Sequence, residues 1–87
     1  LGTYRVSTDL MSGQTGDKVI VTVERTVSAT ATGTLTLTVT SGTATFDSYN
    51  SNTINFANNT GDTTWSFTMT LSGAVGNDTA VLTLTGV

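Results

Sequence analysis

Apolar and polar residues alternate with period two along most of this chain, which is the spacing of half-buried strands and not of helices. From Thr3 to Leu10, the residues Tyr4, Val6 and Leu10 share one face, and Arg5, Ser7 and Asp9 share the other. From Lys18 to Thr26, Val19, Val21 and Val23 point one way while Thr22 and Glu24 point the other. Leu35, Leu37 and Val39 alternate with threonines from Thr34 to Thr40. Short strands follow at Thr43 to Phe46 (Ala44 and Phe46 inward) and Thr53 to Phe56 (Ile54 and Phe56 inward). Trp65, Phe67, Met69 and Leu71 line one face from Thr63 to Leu71, and Ala80, Leu82 and Leu84 do so from Thr79 to Val87.

Clusters of Gly, Asn, Asp and Ser separate these runs: Ser12–Asp17, Ser41-Gly42, Asp47–Asn52, Asn58–Asp62 and Ser72–Asp78. Such residues favour turns because Gly tolerates positive φ and Asx side chains bond their own backbone. Ser28 to Gly33 reads as an extended loop or strand edge. The prediction is about seven short strands forming one all-β, antiparallel β-sandwich, apolar on one side of each strand and polar on the other. At 87 residues the chain makes one domain with a modest core.

Composition narrows the functional classes. Charged residues are only 10% of the chain and the net charge is −3, with Arg5, Lys18 and Arg25 the only cations. A nucleic-acid site needs a basic stripe, so that class is excluded. No apolar run approaches a membrane span, so membrane insertion is not expected. No signal-peptide pattern opens the chain, which reads as a mature or excised segment. Without Cys or His there is no thiol or imidazole chemistry, and a serine nucleophile lacks its usual base, so no enzyme is expected. Few charges and many hydroxyls suit an extracellular or cell-surface location.

Several motifs resemble a Calx-beta domain. They are Val19-Ile20-Val21-Thr22-Val23-Glu24-Arg25-Thr26, then Ser41-Gly42-Thr43-Ala44-Thr45-Phe46-Asp47-Ser48-Tyr49, then Thr53-Ile54-Asn55-Phe56, and Gly76-Asn77-Asp78-Thr79. The resemblance covers about two-thirds of the chain from Lys18 onward. It implies an immunoglobulin-like, seven-stranded sandwich of the kind strung in tandem in large surface adhesins.

The same resemblance implies calcium binding by loop carboxylates. Calcium takes six to eight oxygens, several of them charged. At the matching positions this chain offers only Asp47 and Asp78 as metal candidates, too few for a tight site, and turn capping is the simpler role for both. No cofactor other than weakly held calcium is therefore expected.

The resemblance also implies one more strand after Val87, while residues 1–10 form a strand ahead of the 11–87 body. An incomplete sheet exposes backbone groups that a neighbour's strand can satisfy. Tyr4, Val6 and Leu10 are the anchors such a donated strand would use at a subunit interface. The primary expectation is thus a structural subunit of an extracellular filament or pilus, self-associating head to tail by β-strand donation. The alternative is a tandem stalk module of a surface adhesin, with weak calcium or glycan binding or a surface protein target. In that case the first strand folds back into its own sheet.

Other features have plainer readings. Lys18 could enter an isopeptide crosslink only if buried, and its adjoining turn argues for solvation. The threonines from Thr30 to Thr40 suggest a hydroxyl array, but sheet twist and strand propensity account for them. Trp65, Phe67 and Met69 read as core rather than as a sugar platform, and Tyr49 is the best candidate for an exposed aromatic. Asn58-Asn59-Thr60 and Asn77-Asp78-Thr79 match the N-glycosylation pattern in predicted turns.

Overall fold

A computed structural model describes residues 3–26, 33–59, 61–73 and 80–86. Its described residues are strands and turns without helix. Seven strands run in the order β1 (Tyr4–Thr8), β2 (Lys18–Arg25), β3 (Gly33–Ser41), β4 (Ala44–Phe46), β5 (Thr53–Asn58), β6 (Thr64–Leu71) and β7 (Val81–Thr85). They form a four-stranded sheet of order β1-β2-β6-β4 and a three-stranded sheet of order β5-β3-β7. Every pairing is antiparallel.

Valine-rich β2 and threonine/leucine β3 are the longest-paired strands of their sheets, because branched side chains fit a pleated, half-buried surface. Val19, Val21 and Val23 face Leu35, Leu37 and Val39 across the core, joined by Ala44, Phe46, Ile54 and Met69. Leu35, Leu37, Ile54 and Phe46 are completely buried, each worth about 1.5–3 kcal/mol of apolar transfer. Phe56 packs on both Trp65 and Phe67, with ring centroids 5.5 and 5.0 Å apart, so the aromatic stripe of β6 is core packing between the sheets.

The registers define two ends. Tyr4 lies opposite Arg25, Glu24 opposite Thr64, Gly33 opposite Asn58, and Thr36 opposite Thr85. Arg25 bonds the Asn58 side chain across the sheets. Thr3 and Gly86 therefore sit at the same end of the sandwich. The opposite end holds Thr8, Lys18, Ser41, Leu71 and Val81. The body measures 43 × 21 × 18 Å, of which strands of eight or nine residues at about 3.3 Å each span roughly 30 Å.

Three strands, β1, β5 and β7, depart from the sequence prediction by two residues at an end. β1 ends at Thr8, two residues before Leu10. There the Asp9 carboxylate accepts from the Ile20 N–H at 2.8 Å, and the Thr8 hydroxyl donates to the Leu10 carbonyl. The chain turns at that point, leaving Leu10 42% exposed and outside the inward row. β5 continues two residues past Phe56, because Asn58 turns inward to meet Arg25. β7 begins at Val81 and leaves Ala80 exposed. Between β3 and β4 the chain reverses at Gly42, whose φ of 81° suits glycine. Gly86, at φ 88°, lies so close to β3 that a Cβ would sit 2.5 Å from the Thr34 carbonyl oxygen.

Candidate functional site

The two seams of the sandwich are unequal. On one side β4 and β5 close it, with Ala44, Phe46 and Ile54 all buried. On the other side lie the edges β1 and β7. Each pairs with a single strand among the described residues, β1 with β2 and β7 with β3. Their inward side chains, Tyr4 and Val6 on β1 and Leu82 and Leu84 on β7, pack on the core but stay half-buried.

Of the three predicted interface residues, Tyr4 and Val6 lie inward on β1 and Leu10 does not. β1 occupies the edge of its own chain's sheet, opposite Arg25 to Val21. On its solvent face Arg5 donates to Glu24 at 2.9 Å. After Leu10, Met11 is 94% exposed. The loop is anchored again at Gln14 to Asp17. The Gln14 N–H donates to the Asp17 carboxylate, the Gly16 N–H to the Leu71 carbonyl, and the Thr15 hydroxyl to the Gly73 carbonyl. Residues 10–13 thus link a strand held on one side to a firmly tied body.

Arg25 closes the end of the core that holds Thr3 and Gly86. The parity of Val19, Val21 and Val23 carries it inward, and it is buried. Its guanidinium donates to the Asn58 side-chain oxygen and to the Asn59 carbonyl, and it lies 5.7 Å from the Trp65 ring centroid. A planar cation with several donors can satisfy these partners together, which lysine cannot. The alternation in the sequence already carried this signal, although a charge is rarely read as an inward residue. Asn58 is fully buried, so its glycosylation pattern presents no accessible amide, a correction to the predicted turn position. The second pattern, at Asn77, lies outside the described residues.

At the opposite end Lys18 donates to the Asp47 carboxylate at 2.8 Å and to the Thr70 hydroxyl at 2.7 Å, and Thr70 donates to Asp47. The Lys18 ammonium, with Thr70, holds the Asp47 carboxyl below its ordinary value of 3.8. Both candidate-metal oxygens of Asp47 are thus engaged by side chains of this chain. Asp78 lies outside the described residues, and among those described no three acidic, His or Cys side chains gather. The Lys18 side chain is largely exposed, as its flanking turn predicted. Tyr49 is 48% exposed.

The three-stranded sheet has an outer face of hydroxyls and amides. Thr36 donates to Asn55, Thr53 bonds Thr38, and Thr40 bonds Thr83. The threonine register therefore extends over all three strands, farther than the Thr30–Thr40 stretch alone indicated. None of β3, β5 and β7 contains a charged residue.

Comparisons of the chain with protein-family models, with curated proteins and with solved structures found no match in any of the three.

Proposed function

We propose that this chain is an extracellular structural subunit that assembles head to tail by exchange of β1. The observation that carries the reading is the mounting of β1: an edge strand with two half-buried anchors, tethered to a bonded body through residues 10–13. In the exchanged state β1 leaves its own β2 and takes the same place against β2 of the next copy. Tyr4, Val6 and the ladder bonds re-form in trans, so the exchange costs little beyond association entropy. Each subunit both gives and receives a strand, and the contact does not close, so the product is a filament.

The wider reading is an immunoglobulin-like sandwich of a cell-surface structure. The division into four and three antiparallel strands supports it. The order β1-β2-β6-β4 and β5-β3-β7 departs from the A-B-E-D and C-F-G arrangement of a constant-type immunoglobulin domain. The low charge and abundant threonine support an extracellular setting. A stalk of covalently linked modules is the second reading.

A disulfide trap tests the exchange. Ser7 and Thr22 lie opposite each other on β1 and β2, and the chain has no cysteine of its own. Opposed strand residues sit within disulfide range. Oxidation of the Ser7→Cys/Thr22→Cys double variant after assembly is expected to give a covalent ladder on a non-reducing gel. Crosslinked monomer alone, at every protein concentration, would refute the exchange.

A further inference from the structure

We infer that β7 is a second, independent contact surface, and that its occupant is β7 of another copy, paired antiparallel about a two-fold axis through Thr83. The inference does not depend on exchange of β1, which uses the other sheet.

Four observations lead to it. First, β7 is an edge among the described residues with no charge and no proline within Val81–Thr85, and the irregularity of its ladder lies on β3, between Val39 and Ser41 at the Val81 end. The β1 edge, in contrast, presents the Arg5–Glu24 pair. Second, its inward leucines are only half-buried, so another strand alongside would hide apolar surface. The β5 edge has less left to gain in this way, because Ile54 and Asn58 are already fully buried and only Phe56 of its inward row is half-buried.

Third, charge selects the partner. Copies with a net charge of −3 repel one another in general. The three-stranded sheet is the part of the strand framework where like molecules meet without any charge, so a second copy fits it. Fourth, Val81-Leu82-Thr83-Leu84-Thr85 is self-complementary. An antiparallel pair centred on Thr83 sets Leu82 against the partner's Leu84 and Leu84 against the partner's Leu82. On the solvent face it sets Thr83 against the partner's Thr83, and Val81 against the partner's Thr85. Both apolar pairs fall on the core side and every polar residue falls outside. The result is one six-stranded sheet of order β5-β3-β7 followed by its two-fold mate.

Position 83 meeting itself makes the arrangement testable. The background is the Ser7→Cys/Thr22→Cys chain, oxidised as a monomer so that β1 cannot leave. Light scattering after gel filtration should then give twice the 9.0 kDa chain mass. Thr83→Lys or Thr83→Glu, each on an exposed position, should abolish the dimer by placing like charges directly opposite. Mixing the two variants should restore it, which also proves that both fold. A locked chain with Thr83 intact that stays monomeric at every concentration would overturn the inference, as would dimers that survive either single substitution. Failure of the mixture to re-associate would also overturn it. Loss of filaments in the disulfide trap, with this dimer intact, would sink only the exchange of β1.

Discussion

The four-stranded sheet carries Arg5, Lys18 and Glu24 on its solvent side, whereas the three-stranded sheet carries no charge at all. Both bury the same kind of inward row, valines in one and leucines in the other. They solve the outer face differently. In the charged sheet, ion pairs fix the rims: Arg5 with Glu24, and Lys18 with Asp47. In the uncharged sheet, hydroxyl and amide bonds run between neighbouring strands. Threonine supplies strand propensity without charge. The consequence is an edge at β7 with nothing to repel another strand. The lesson is that outer-face composition, which hardly affects whether a sheet forms, decides which of its edges stays available.

The largest effect expected concerns the depth of the uncharged sheet. Leu37 is fully buried at its centre, and Leu84, directly opposite on β7, is half-buried. Leu37→Ala should cost about 3 kcal/mol in urea unfolding and Leu84→Ala about 1 kcal/mol, because the cavity term applies only where the site cannot collapse or fill with water. Equal costs would mean that the β1–β7 seam is as tight as the β4–β5 seam.

A smaller loss is expected where the two sheets are bolted together. Asn58→Ala leaves the Arg25 guanidinium buried without its side-chain acceptor, a cost of about 2 kcal/mol by the same measurement. Combining Arg25→Met with Asn58→Leu should recover much of that loss, since an apolar pair can replace a buried polar one. If Asn58→Ala alone is neutral, the bolt contributes nothing.

The subtlest prediction concerns the rim of the charged sheet. The folded-state pKa of Asp47 lies below its ordinary 3.8, so its contribution to stability is present above the unfolded value. It drains away as pH falls through the depressed folded value. Asp47→Asn should therefore flatten the fall in melting temperature below about pH 5 and leave the slope above it unchanged. The difference should shrink in high salt, because this pair is solvent-exposed. Identical acid limbs for both proteins would show that the pairing is without effect on folding.

Much of the fold was legible in the chain. Alternation placed all seven strands within two residues at each end and identified the inward rows of β2, β3 and β4. It mistook the end of β1 because Leu10 keeps the parity of Tyr4 and Val6. The turn there is made by Asp9 and Thr8 bonding to backbone groups, one of them eleven residues away on Ile20. The candidate site was legible only in part. Tyr4 and Val6 could be named from their spacing, but the half-open seam could not. Seam closure depends on which strands end up facing one another.

Local patterning alone determined that this protein is all-β, antiparallel in character and built around one apolar layer. Period-two alternation admits no other way to segregate its side chains. Only the tertiary structure decided the sheet order, the shared end for Thr3 and Gly86, the inward use of Arg25 and Asn58, and the exposure of β7. Each of these depends on pairings between residues far apart in the chain. Short strands of similar composition are nearly interchangeable in sequence, and the packing of the whole core selects among them.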